Sequence, residues 1–150
     1  MLDYSLSLEE RAVAEKKTRA LVDRFIERDV AGDFEACYRM LNADAVYTLI
    51  GESPVSGTYY GPDDTMERLA PLLVHFTVRP QMTFSEIMID GYRAFLRASS
   101  TGGAGKYGPY AQPFYGFYLR VEGEGFAELV EFLDPLQLDV ALFGKRLVDA

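Results

Sequence analysis

Along Leu8–Val30 the apolar residues Val13, Leu21, Val22, Phe25, Ile26 and Val30 recur at helical spacing, while Glu9, Glu10, Lys16, Lys17 and Glu27 fall on the opposite side. That pattern predicts an amphipathic helix. Ser7 with Glu10 three residues on reads as a capping box at its start. Gly32 stops it, and Asp33 can cap a shorter helix with Phe34, Cys37, Tyr38 and Leu41 on one side. A short strand over Asp44–Ile50 follows, then a Gly/Pro-rich loop over Ser53–Gly61 with a little extended structure. Pro62, at a first-turn position, opens a helix running to about Val74.

Beyond that helix the period changes to two. Met82–Ile89, Tyr92–Ser100, Pro113–Glu122 and Phe126–Leu133 are four consecutive strands, joined by Asp90-Gly91, a glycine-rich loop and Gly123-Glu124-Gly125. Together they predict a meander of hairpins. Asp134 then sits at an N-cap and Pro135 at a first helical position, with Leu136, Leu138, Ala141, Leu142 and Phe143 making a terminal helix apolar. The expected class is α+β: one curved antiparallel sheet wrapped around the N-terminal helices, as a single domain over residues 1–150.

Alternation assigns the sheet its two faces. Tyr92, Ala94, Leu96 and Ala98 share one face with Tyr115, Phe117, Leu119 and Val121 of the next strand, and this is the expected lining of the core. Arg93, Phe95, Arg97, Phe114, Tyr118, Arg120, Val130 and Phe132 take the reverse face. Aromatics on the back of a sheet point to pairing of two copies, so a homodimer is expected.

One acid breaks the apolar inward pattern. In Leu129-Val130-Glu131-Phe132-Leu133, Glu131 shares a face with Leu129 and Leu133. A carboxylate held among leucines loses water, its charged form is disfavoured, and its pKa rises toward the range where it can trade protons near neutrality. Glu131 is therefore a candidate general acid or base. The alternative is an edge strand on which Glu131 reaches solvent or pairs with an arginine.

Composition narrows the chemistry. The chain has 150 residues, 49% hydrophobic and 13% aromatic, enough to bury a core with an internal pocket. Its net charge of −8 opposes phosphate backbones and anionic membrane surfaces, so neither nucleic acid nor membrane is an expected partner. Cys37 is the only cysteine and His75 the only histidine, so no disulfide, cysteine-rich zinc site or histidine cluster is expected, and a reducing compartment follows. The start, Met1-Leu2-Asp3-Tyr4, has neither a basic segment nor a long apolar one. A cytoplasmic protein without metal or cofactor is the expectation.

Several patterns look like chemistry and lack its context. Gly103-Ala104-Gly105-Lys106-Tyr107-Gly108 has the Gly-x-Gly-x-x-Gly spacing, but Pro109 follows where a dinucleotide site needs a helix. The loop reads as a flexible connector whose Tyr107 and Tyr110 could gate a pocket. Asp63-Asp64 complement a helix dipole, and Asp134 is occupied as a cap. His75 lies after the third helix, where a surface or helix-end role competes with acid–base participation.

The order helix, helix, strand, helix and four-strand meander resembles the nuclear transport factor 2-like superfamily, in particular its SnoaL-like, limonene epoxide hydrolase and ketosteroid isomerase-like branches. The segments carrying it are Arg28-Asp29-Val30-Ala31-Gly32-Asp33-Phe34, the Gly51–Gly57 loop, and Gly116-Phe117-Tyr118-Leu119 through Leu133-Asp134. The resemblance covers nearly the whole chain and implies a cone with an apolar pocket, commonly in a dimer. Steroid isomerases place a general base and two oxyanion donors at positions that here hold Thr48 or Leu49, Phe25 and Tyr115, so the base is missing. Epoxide hydrolases use an arginine, an aspartate and a last-strand aspartate; these fall near Arg97, Ser99 and Glu131, so that set is incomplete.

The resemblance implies a SnoaL-like small-molecule enzyme: an isomerase, cyclase, hydratase or hydrolase acting without cofactor on an apolar cyclic, polyketide, terpenoid or steroid-like compound. Glu131 would move the proton and Tyr115 orient an oxygen, with Arg97 or His75 assisting. Phe25, Tyr47, Thr48, Leu49, Phe117, Leu119, Leu129 and Leu133 would contact the ligand. The alternatives are a ligand-binding or dimerisation module without chemistry, and a protein-docking role using the reverse face of the sheet.

Overall fold

The computed structural model of the protein describes residues 5–150; the reading of Met1–Tyr4 as leaderless lies outside the described residues. Helix α1 spans Leu8–Val30, and its capping box is formed: the Glu10 amide donates to Ser7 Oγ at 3.2 Å and the Ser7 amide to Glu10 Oε2 at 2.8 Å. Its buried face is Ala14, Thr18, Leu21, Val22, Phe25 and Asp29. Two members of the expected stripe are therefore displaced, with Val13 67% and Val30 40% exposed. The face is set partly by polar side chains, which an apolar count passes over. Thr18, for example, donates to the Gly91 carbonyl at 2.8 Å and pins α1 against the sheet.

Asp33 caps α2 (Phe34–Tyr38) by accepting from the Ala36 amide at 3.0 Å. Strand β1 runs Leu41–Leu49, taking Leu41 away from the helix expected to hold it, and pairs with β2 (Gly57–Tyr60). The helix expected over Pro62 to Val74 is two pieces, α3 (Gly61–Arg68) and a 3₁₀ segment Ala70–His75. Pro71 is the cause. It lacks an amide hydrogen and disfavours α geometry in the residue before it.

Strands β3 (Phe76–Val78), β4 (Gln81–Asp90), β5 (Arg93–Gly105), β6 (Gly108–Glu122) and β7 (Gly125–Phe132) complete a seven-stranded sheet ordered β2-β1-β7-β6-β5-β3, with β4 also on β5. From β4 to β7 this is the expected meander. The parallel pairing of β1 with β7 joins the early and late parts of the chain and sets Leu49 opposite Glu131. Helix α4 (Pro135–Phe143) starts at Asp134, whose side chain accepts from the Leu136 amide at 3.0 Å. Buried Gln112 fastens that start, its Oε1 accepting from the Asp134 amide and its Nε2 donating to the Asp134 carbonyl, each at 2.9 Å.

The glycine-rich stretch is strand rather than flexible connector, with only Lys106 and Tyr107 between β5 and β6. Backbone approach explains its composition. A Cβ on Gly105 would collide with the Ala141 carbonyl of α4, which accepts from the Tyr107 amide at 2.9 Å. The ring of Tyr107 covers Gly144, which ends α4 at φ 67°. Tyr110, the other expected gate residue, is buried in the core.

The helices and the inner face of the curled sheet enclose the α+β core. Phe25 meets Phe117 and Phe126 edge-on, with centroids 5.2 and 5.8 Å apart. Ala94, Leu96, Ala98, Phe117, Leu119 and Val121 face inward as alternation predicts, and Tyr92 does not, lying exposed at the β4–β5 corner. Among the described residues no helix is long and apolar enough to cross a membrane.

Candidate functional site

Between α1, α2, the 3₁₀ segment, α4 and the inner face of the sheet lies a cavity of about 70 Å³. Its wall is mainly leucine and aromatic, with half-buried Phe34, Leu72 and Phe76 at the rim. A cavity of ~150 Å³ suffices for benzene in an apolar protein interior; this one has about half that volume and as it stands takes only a guest smaller than benzene. A polycyclic guest of the polyketide or steroid type would have to push side chains aside.

Glu131 enters this wall from β7, between Leu129 and Leu133 on the same face, and its exposure is only 9%. The edge-strand alternative fails because β7 lies between β1 and β6. Two phenols hold the carboxylate. Tyr47, fully buried on β1, donates to Oε1 at 2.7 Å, and Tyr115 of β6 donates to Oε2. Burial raises the Glu131 pKa above the usual carboxylate range, while the hydrogen bonds from Tyr115 and Tyr47 pull against that rise. Burial, and then the Glu131 charge, pushes both phenols well above their ordinary values, so they remain donors.

A second carboxyl faces the same cavity. Asp29, in the last turn of α1, is 5% exposed, and its Oδ2 makes no hydrogen bond among the described residues. Burial first and the Glu131 charge second push its pKa up to about 8. The two acids are therefore electrostatically linked. Cys37, also in the wall, has its thiol pushed up by burial and donates weakly to the Phe25 carbonyl at 3.6 Å, which leaves it unreactive.

Of the residues singled out from the sequence, Phe25, Leu49, Tyr115, Leu129, Glu131 and Leu133 line the cavity. Tyr47, Phe117 and Leu119 stand behind that lining as buried core. Three others do not face it. Thr48 alternates to the outer side of β1, because Tyr47 and Leu49 take the inner one. Arg97 is on the outer face, exposed, 3.8 Å from Glu86. His75 packs its ring on Phe143 with centroids 4.7 Å apart and donates from Nδ1 to the Leu142 carbonyl at 3.3 Å.

Asp29 was missed, although a signal existed. It lies four residues after Phe25 and seven after Val22, on the buried face of α1, and the reasoning that isolates Glu131 on a strand isolates Asp29 on a helix. Ser100 of the wall was likewise absent from the sequence-based site, and Tyr110, expected as a gate, is part of the wall itself.

No family model matches the sequence. No curated protein matches it either. Solved structures do. An NTF2-like protein of unknown function from Burkholderia pseudomallei is 14% identical and superposes with a TM-score of 0.72 over 84% of this chain and 97% of that one. A protein described as a SnoaL-like polyketide cyclase from Jannaschia sp. gives 14% identity and a TM-score of 0.68 over 89% and 96% of the two chains. A Catenulispora acidiphila protein with a ketosteroid isomerase-like fold, in complex with trimethylamine, gives 18% identity and 0.61 over 75% and 83%. At these identities the likeness is one of fold: the chain has the nuclear transport factor 2-like cone.

Proposed function

We propose that this protein takes a compact, largely apolar small molecule into its cone and moves a proton on it without a cofactor, Glu131 acting as general acid and base. One observation carries the reading: a buried carboxyl in a cavity wall, its pKa raised by desolvation, held at both oxygens by phenols that stay protonated. Tyr47 and Tyr115 fix the carboxylate in one orientation. Tyr115 also lines the cavity, and its one hydroxyl hydrogen would have to leave Glu131 Oε2 to serve an oxygen that gains charge on the substrate. Isomerisation, cyclisation and hydration all need such a step. The trimethylamine held by a protein of this fold supports a guest of small size.

Small cyclic ketones and enones in deuterium oxide provide the test, with exchange of their acidic C–H groups followed by proton NMR. The wild-type protein should exchange them above the buffer rate, and Glu131→Gln should lower that rate roughly 100-fold or more while the fold is retained. Exchange undiminished in Glu131→Gln rejects the assignment. A ligand-binding module without chemistry is the second reading, favoured because both Glu131 oxygens already accept hydrogen bonds. It predicts binding with no exchange in any variant.

Pairing of two copies through the outer sheet face belongs to the same proposal, on the exposed rings of Phe114 and Phe132 beside half-buried Phe95. The unpaired, buried Cys37 accords with a reducing, cytoplasmic compartment.

A further inference from the structure

Two acids face one cavity. Among the described residues no Lys, Arg or His lines the wall, and Asp29 Oδ2 is a buried acceptor with nothing to accept from. Three further influences work against charge at that position. Asp29 is desolvated, it sits at the negative end of the α1 dipole, and it feels Glu131 across the cavity. A side chain retained only for packing would suffer none of these, and an amide or a leucine would fill the same place. A positive charge inside the cavity would answer all of them together. It would pair with Asp29, occupy the open lone pairs of Oδ2, gain from the helix end, and lie against the rings of Phe25, Phe34, Tyr38 and Phe76. The protein's net charge of −8 draws cations toward it in any case.

We propose that the cavity binds a small organic cation, a protonated amine of compact apolar shape, which donates its N–H to Asp29 with Glu131 beside it as a second counter-charge. This deepens the reading above by naming the charge of the guest, and it rests on that reading only for the identity of the cavity. The titratable groups that share the wall with Asp29 are a thiol, phenols and a carboxyl: Cys37 and Tyr38 from α2, Tyr115 and Tyr110 from β6, and Glu131 from β7 with Tyr47 behind it. Arg79 lies outside the wall, over the ring of Phe34 and paired with Glu35 at 2.7 Å. Arg28, next in sequence, spends its guanidinium on the Ala36 carbonyl at 3.0 Å. In the empty cavity at neutral pH Asp29 keeps its proton, since its pKa is about 8. The arriving ammonium displaces that proton to solvent and keeps its own, so binding releases close to one proton from Asp29.

Isothermal titration at pH 7 in two buffers of different ionisation heat tests this, with tert-butylammonium chloride and the similarly shaped neutral tert-butyl alcohol as probes. The cation should bind about tenfold or more tighter than the alcohol, with near-stoichiometric proton release. Asp29→Asn keeps the volume and neutrality of the protonated acid and should fold; it should abolish the proton release and lower the affinity for the cation. Equal affinity for the two probes, cation binding unaltered in Asp29→Asn, or no binding of either probe overturns the inference. The two readings fail separately. Selective cation binding alongside C–H exchange that survives Glu131→Gln rejects the acid–base reading alone, and exchange that depends on Glu131 without preference for the cation rejects the cation alone.

Discussion

Glu131 and Asp29 are both carboxyls buried in one cavity wall, yet the fold treats them oppositely. Glu131 stands on a central strand between neighbours that supply two phenolic donors, so its charge is desolvated and then partly repaid by hydrogen bonds. Asp29 stands at a helix end with no donor for Oδ2 among the described residues, and its pKa rises to about 8. The contrast teaches that burial alone does not define a functional acid. One carboxyl is positioned by the protein, and the other is left for something that enters.

The largest effect that sharpens this comparison is on stability. For Asp29 the folded pKa of about 8 lies above the unfolded value of 3.8, so its contribution is fully present below pH 3.8 and is lost as pH rises through about 8. At about 1.36 kcal/mol per unit, Asp29→Asn should stabilise the protein by several kcal/mol at pH 9 and hardly at all at pH 4. Urea denaturation at the two pH values checks it, and equal shifts at both would break the contrast. Glu131→Ala, by comparison, leaves the Tyr47 and Tyr115 hydroxyls without their acceptor and should destabilise by about 2–4 kcal/mol at pH 7. Loss of less than 1 kcal/mol in the same experiment would mean that the phenols do not depend on it.

Smaller effects divide the two donors. Tyr47→Phe and Tyr115→Phe should each lower stability by about 1 kcal/mol and raise the Glu131 pKa further, because each removes a hydrogen bond that favours the charged form. Carbon-13 NMR of the labelled glutamate carboxyl reads the direction, and a fall in either variant contradicts it. The smallest effect is expected at Arg97→Ala and His75→Ala, whose side chains lie outside the cavity, with stability within about 0.5 kcal/mol and ligand affinity unchanged. A loss of affinity in either would bring that residue back toward the site.

The fold was legible where a local period speaks for itself. The capping box of α1, the β4–β7 meander and the cap at Asp134 all sit where turn chemistry and alternation put them. The break at Pro71 is equally readable, since proline lacks the amide that a continuous helix from Pro62 to Val74 needs there. The glycine stretch before Pro109 was misread for a different reason. Glycine signals either freedom or close approach, and only the α4 backbone lying against Gly105 decides between them. At the site, Glu131 stands out because its strand has period two and few residues to confuse it. Asp29 needs the phase of a 23-residue helix to within one position, and Val13 and Val30 pulled that phase the wrong way.

By itself the sequence determined α1, α2, α4 and the β4–β7 meander with most of its inward-facing positions, since local sterics and the two periodicities act over a few residues. Only the tertiary structure decided that Tyr47, Tyr115 and Glu131 meet. Those residues come from three strands, and the parallel pairing of β1 with β7 that brings the first to the last spans most of the chain. The assembled fold likewise brings Asp29 of the first helix and Glu131 of the last strand into one cavity wall. Whether a buried charge has a partner is a property of the assembled wall, because the field at a carboxyl sums over neighbours that are distant in sequence.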